Sequence, residues 1–93
     1  MAIVISELDI ALRAAIPADL MARLEIISAT NGILITTDTP RRIISIWPNG
    51  ECDVDDRDGV GRCVQFHHYE FPDIAGAVQV ILREVELVLR RHA

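Results

Sequence analysis

The chain has no lysine. All nine basic residues are arginine, set against fourteen acidic ones, and the formal net charge is −5. That balance argues against binding driven by nucleic-acid phosphates, which needs clustered cations. No element gathers enough arginines to reverse it. Exclusive use of arginine fits the codon bias of a GC-rich, bacterial genome. Long hydrophobic runs are missing too: none reaches the roughly 18 residues a membrane span needs. The start, MAIVISELDI, has no basic segment and turns acidic after a short apolar run. A secretory signal has the opposite pattern. These absences predict a soluble cytoplasmic protein that binds neither membrane nor nucleic acid. Cysteine is limited to two residues, expected to stay reduced in that compartment.

Catalytic signatures are also lacking. There is no Ser-His-Asp set, glycine-rich phosphate loop, HExxH or CxxC. The expectation is a protein without catalytic activity, cofactor or dedicated metal ligands. Repeats, low-complexity tracts and linkers are absent, so the 93 residues read as one domain spanning 1–93.

What is abundant is apolar surface. The hydrophobic fraction is 51% and the mean hydropathy is +0.28. Area scaling for this mass leaves about 5,400 Å² exposed after folding, with about 64% of the unfolded surface buried. So small a globule cannot easily hide this much apolar area. Two-fold dimers are the commonest assembly, and a homodimer is expected.

Ser6 and Asp9 resemble a capping box. Leu8, Ala11, Leu12, Ala15 and Ile16 follow at helical spacing, with a break near Ile16 because Pro17 suits a new first turn. A second helix is expected to carry Leu20, Leu24 and Ile27 on one face and to end at Asn31-Gly32. Residues 3–5 fit either a short strand or the start of the first helix. Strands follow at 33–37 and 42–47, joined by the turn Asp38-Thr39-Pro40-Arg41. Pro48-Asn49-Gly50 reads as a three-residue hairpin loop. Short strand 51–54, an acidic turn at 55–60 and strand 61–69 complete a four-stranded antiparallel meander. Pro72-Asp73 opens a long helix to about Arg91. The predicted class is α+β, two-layer: an N-terminal helical segment, the meander and a long C-terminal helix.

That last helix is apolar around most of its circumference. Ile74, Val78, Ile81, Val85 and Leu89 form a stripe, widened by Ala77, Val80, Leu82, Leu87 and Val88. Only Gln79, Arg83, Glu86 and Arg90 make a polar stripe. Such a helix contacts more than one surface.

Residues 43–71 concentrate the chemistry: the only Trp, both Cys and two of three His. Centring the acidic loop between Arg57 and Asp58 sets Cys52 opposite Cys63 and Asp53 opposite Arg62, a favourable ion pair. Ile46 then faces Cys52 and Ile44 faces Val54. One face carries Ile44, Ile46, Cys52, Val54 and Cys63, a core face. The other carries Ile43, Ser45, Trp47, Val64 and Phe66 beside Asp53 and Arg62. Trp47, Val64 and Phe66 there would form an apolar patch of the kind that marks an interface.

Each chemical motif has a plainer reading. Paired Cys52 and Cys63 could share an ion, but zinc needs two further ligands. His67 lies four strand residues from Cys63, about 13 Å. The thiols are therefore expected as core residues. Asp53 to Gly59 has a calcium-loop look, yet Arg57 occupies a ligand position and Val64 stands where the bidentate Glu belongs. His67 and His68 are adjacent on a strand and point to opposite faces; His68 and Glu70 share one. A strand–strand–strand–helix order also occurs in double-stranded RNA-binding domains, but the basic residues that open their last helix are missing at Pro72-Asp73-Ile74-Ala75.

The functional expectation is a homodimeric protein-interaction or regulatory module. Its expected interface draws on Ile43, Trp47, Val64, Phe66, Val80, Leu87 and Val88. The alternative is a small-ligand or metal-binding protein using residues 52–70. A weaker alternative is an acidic DNA mimic displaying Glu51, Asp53, Asp55, Asp56 and Asp58.

Overall fold

The computed structural model describes residues 2–38 and 41–91. Thr39 and Pro40, the middle of the turn expected at 38–41, lie outside the described residues. Helix α1 (Ile5–Ala15) forms because Ile5, Leu8 and Leu12 recur at helical spacing and are buried together. It begins one residue before Ser6, capped by Val4 without any side-chain hydrogen bond, so the capping box does not form. Ile16 is extended (φ −74°, ψ 124°), as the residue before a proline tends to be. Pro17 then starts the one-turn helix α2 (Ala18–Met21). The helix thus breaks at Ile16, as the sequence predicts.

Beyond Met21 the reading needs correction. Residues Leu24–Ala29 are strand β1, not the end of a second helix. β1 pairs antiparallel with β2 (Gly32–Asp38), with Ile26 opposite Ile35. Asn31 therefore belongs to a tight hairpin turn and not to a helix C-cap. Leu24 and Ile26 alternate toward the core while Glu25 and Ile27 face away, the period of a half-buried strand. Gly32 is required here, since a Cβ would come within 2.5 Å of the Ile46 carbonyl oxygen.

Strands β3 (Arg41–Ile46), β4 (Glu51–Arg57) and β5 (Cys63–Glu70) continue the meander. The sheet has five strands in sequence order, all neighbours antiparallel. Between β3 and β4, Trp47 N–H donates to Glu51 O (2.9 Å) and Gly50 N–H to Trp47 O (3.0 Å). Gly50 sits at φ +89°, the left-handed position a three-residue loop gives to glycine. Helix α3 (Ile74–Arg91) closes the fold.

Both helical segments pack on one face of the sheet. Leu8, Leu12 and Leu20 meet Ile81, Val85, Val88 and Leu89 of α3 over Ile33, Ile35, Ile44, Ile46, Cys52 and Val54. Those six strand residues share one side of the pleat. No other helix of the described residues is left to cover the opposite side. None is long and apolar enough to cross a membrane.

Candidate functional site on the uncovered sheet face

The uncovered face is built from the alternate residues of all five strands. One row across it runs Ile27, Leu34, Ser45, Asp53, His68, and the next Glu25, Thr36, Ile43, Asp55, Phe66. Ile27, Leu34 and Phe66 are exposed and Ile43 is half-buried. Trp47, at the end of β3, is exposed on the same side. It separates two shallow depressions. One, about 260 Å³, is lined by Ile27, Leu34 and Ser45; the other, about 510 Å³, by Glu51, Asp53 and His68.

The β4–β5 register differs from the one inferred from the sequence. Cys52 lies opposite Tyr69, Asp53 opposite His68 and Val54 opposite His67. Cys52 therefore does not face Cys63, and Asp53 does not face Arg62. The cause is that β4 continues through the acids to Arg57, moving the turn to residues 58–62. Asp58 builds that turn, its carboxylate accepting from Val60 N–H (3.0 Å) and Arg62 N–H (2.9 Å). Arginines make the extension of β4 tolerable. Arg57 holds Asp55 through Nε (3.0 Å) and Nη2 (2.6 Å). Arg42 holds Asp56 through Nε (2.6 Å) and Nη2 (2.8 Å). Three of the five acids considered as a DNA mimic are thus tied up in arginine pairs or in the turn.

The register slips by one residue at Val64, which leaves Cys63 opposite Arg57. Cys63 is exposed, not part of a core face, while Cys52 is fully buried. Burial pushes the Cys52 thiol up to about 12. The Cys63 thiol donates to Gln65 O (3.6 Å); the adjacent Asp55 carboxylate raises its pKa, and the thiol lowers that carboxyl in return. The two thiols occupy separate environments.

The expected interface residues fall in different places. Ile43, Trp47 and Phe66 share the uncovered face, and Val64 is exposed at the bulge. Leu87 is exposed on α3 beside a groove shared with Leu82, Arg83 and Glu86. Val80 is half-buried against the core and Val88 is buried within it, so Val88 is not available to a partner in this fold.

Two features were missed in the sequence. On the helix side, Glu84 is buried among apolar residues of α3. It accepts from Arg42 Nη1 (2.9 Å) and from the Tyr69 hydroxyl, joining β3, β5 and α3 in one network with Asp56. On the uncovered side, His68 Nδ1 lies 2.6 Å from Asp53 Oδ1. That hydrogen bond raises the imidazole pKa, aided by the charges of Asp53, Glu51 and Glu70. No known family model matches the sequence, and no curated protein or solved structure matches it either.

Proposed function

We propose that this protein is a homodimeric interaction module whose contact surface is the uncovered face of the sheet. One observation carries the reading: both helical layers lie on one side, while the other exposes Ile27, Leu34, Trp47 and Phe66 around half-buried Ile43. Antiparallel sheets can leave one face in water, but that face then normally alternates to polar residues. Here its β1–β3 half presents Ile27, Leu34, Ile43 and Trp47 beside Glu25, Thr36 and Ser45, while its β4–β5 half carries Glu51, Asp53, Asp55 and Glu70. Five strands at about 4.8 Å and six residues at about 3.3 Å give a face of roughly 24 by 20 Å. That is about 480 Å² per partner, below the roughly 800 Å² of a standard interface, and fits a weak, concentration-dependent association.

A second copy is the occupant these features favour. Two-fold packing sets β1–β3 of one copy on β1–β3 of the other and leaves the acidic strands at the rim, where charge is tolerated. Packing the acidic halves on each other would oppose like charges. Size-exclusion chromatography with light scattering tests this. The wild type is expected at twice the 10.3 kDa chain mass, and Leu34→Arg at the monomer mass with unchanged circular dichroism. A wild type that stays monomeric at 100 μM or more, on the order of ordinary laboratory concentrations, would overturn the reading.

A further inference from the structure

We propose that Glu51, His68 and Glu70 form a binding site for a divalent cation of the zinc class, with Asp53 positioning the imidazole. The ligand atoms of the three residues lie within 4.8 Å of one another. Tetrahedral zinc with bonds of about 2.0–2.2 Å sets its ligand atoms about 3.3–3.6 Å apart, so the side chains must close by up to about 1.5 Å to grip the ion. Three protein ligands leave a position for water, as in open zinc sites.

Three further observations point the same way. First, Glu51 stands directly opposite Glu70 across the β4–β5 pair. Like charges in that position are destabilising, and a cation between them removes the penalty. Second, the neighbouring acids of β4 have arginine partners, Asp55 with Arg57 and Asp56 with Arg42. Among the described residues, Glu51, Asp53 and Glu70 have none, and the His68 imidazole pairs with Asp53. With the imidazole neutral, as a ligand must be, the three carboxylates leave a local charge of −3, which a dication lowers to −1. Third, Asp53 Oδ1 accepts from His68 Nδ1–H at 2.6 Å, which leaves Nε2 as the ligating nitrogen. A carboxylate behind a ligating histidine is the usual support in zinc sites. The imidazole selects zinc-like ions over magnesium and calcium, which favour all-oxygen sets. The site does not depend on dimer formation, since all its residues come from one chain.

Trp47 lines the same depression as His68 and Glu51 and is the only Trp, so its fluorescence reports occupancy. The experiment titrates tag-free, chelator-stripped protein with ZnCl2, following heat and Trp fluorescence together. The expected result is one Zn²⁺ per chain with a common midpoint in both signals, and no competition from equimolar Mg²⁺ or Ca²⁺. His68→Ala should weaken binding by 10-fold or more, on the order of losing a ligand, and Asp53→Asn by about 10-fold. His67→Ala and Cys63→Ser should leave it unchanged. Glu51→Gln and Glu70→Gln remove the like-charge pair, so these variants fold at least as well as the wild type while losing affinity. Zinc affinity unaltered by His68→Ala, or lost equally with His67→Ala or Cys63→Ser, would overturn the site.

Discussion

The two faces of the sheet are made from alternate residues of the same strands, yet they use polarity in opposite ways. On the helix side, Ile44 and Ile46 are about 1% exposed. The charges there form one network in which Arg42 serves Asp56 and Glu84 together. On the other side, Ile27 is 52% and Phe66 55% exposed, and Asp53 has only an imidazole for company. The covered face is complete within one chain. The uncovered face has both unspent apolar area and unbalanced charge, which is why both proposals lie on it.

A neighbouring pair of isoleucines tests this contrast most strongly. Ile44 belongs to the covered face and Ile43 to the other. Ile44→Ala removes packing from the core and is expected to cost about 3–4 kcal/mol. For a domain of this size that lowers Tm by roughly 15–25 °C. Ile43→Ala in dilute protein should cost about 1 kcal/mol, as a half-buried site loses less. Thermal melts over a hundredfold range of protein concentration sharpen the comparison. If a second copy covers the uncovered face, the Ile43→Ala penalty grows with concentration while that of Ile44→Ala stays as large. An Ile43→Ala penalty independent of concentration would break the parallel between burial by helices and burial by a partner.

The next effect belongs to the charge network. Glu84→Ala strips one partner from nearly buried Arg42 and leaves the Tyr69 hydroxyl without its acceptor. Orphaning a buried charge costs about 3–5 kcal/mol. Because Asp56 still holds Arg42, the expected loss is near the lower end, about 3 kcal/mol. Urea unfolding measures it. A loss under about 1 kcal/mol would place Arg42 with the weakly coupled surface pairs, and the covered face would no longer differ in kind from the other.

The helical ends of the chain and the strands around Pro48-Asn49-Gly50 were legible because their signals agree with one another. The β3–β4 pairing of Ile46 with Cys52 and Ile44 with Val54 follows from that loop. β1 was not legible because Leu20, Leu24 and Ile27 satisfy a helical stripe, and Asn31-Gly32 suits a helix end as well as a hairpin. Two competing periods were present, and pairing with β2 decides between them. The β4–β5 register failed for another reason. Counting acids as turn residues shortened β4, because the arginines that make Asp55 and Asp56 tolerable in a strand sit on β4 itself and on β3. The bulge at Val64 adds a further slip that no spacing rule anticipates. The Glu51–His68–Glu70 cluster depends on this register, so it could not be assembled beforehand; only the shared face of His68 and Glu70 could be read. Glu84 was hidden because it interrupts an apolar helix whose partners lie 15 to 42 residues away in the chain.

The smallest effect concerns His68 in metal-free protein. Its pKa is raised, first by the hydrogen bond to Asp53 and then by the charges of Asp53, Glu51 and Glu70, the groups of β4 and β5 that face it. A group with a raised folded pKa contributes stability that is fully present below its unfolded value, about 6.5. That contribution is lost as pH rises through the folded value. The wild type should therefore lose stability relative to Asp53→Asn as pH climbs from 6 to 9, in buffer containing chelator. Both groups are partly exposed to solvent, at 44% and 30% of their side-chain surfaces, so the shift in Tm is expected to be small and to shrink with salt. Zinc reverses the trend, because it requires a neutral imidazole and its affinity rises over the same interval. A Tm difference between wild type and Asp53→Asn that is flat from pH 6 to 9 would mean that Asp53 does not hold the imidazole. The uncovered face would then lack the preorganised ligand that sets it apart from a merely acidic surface.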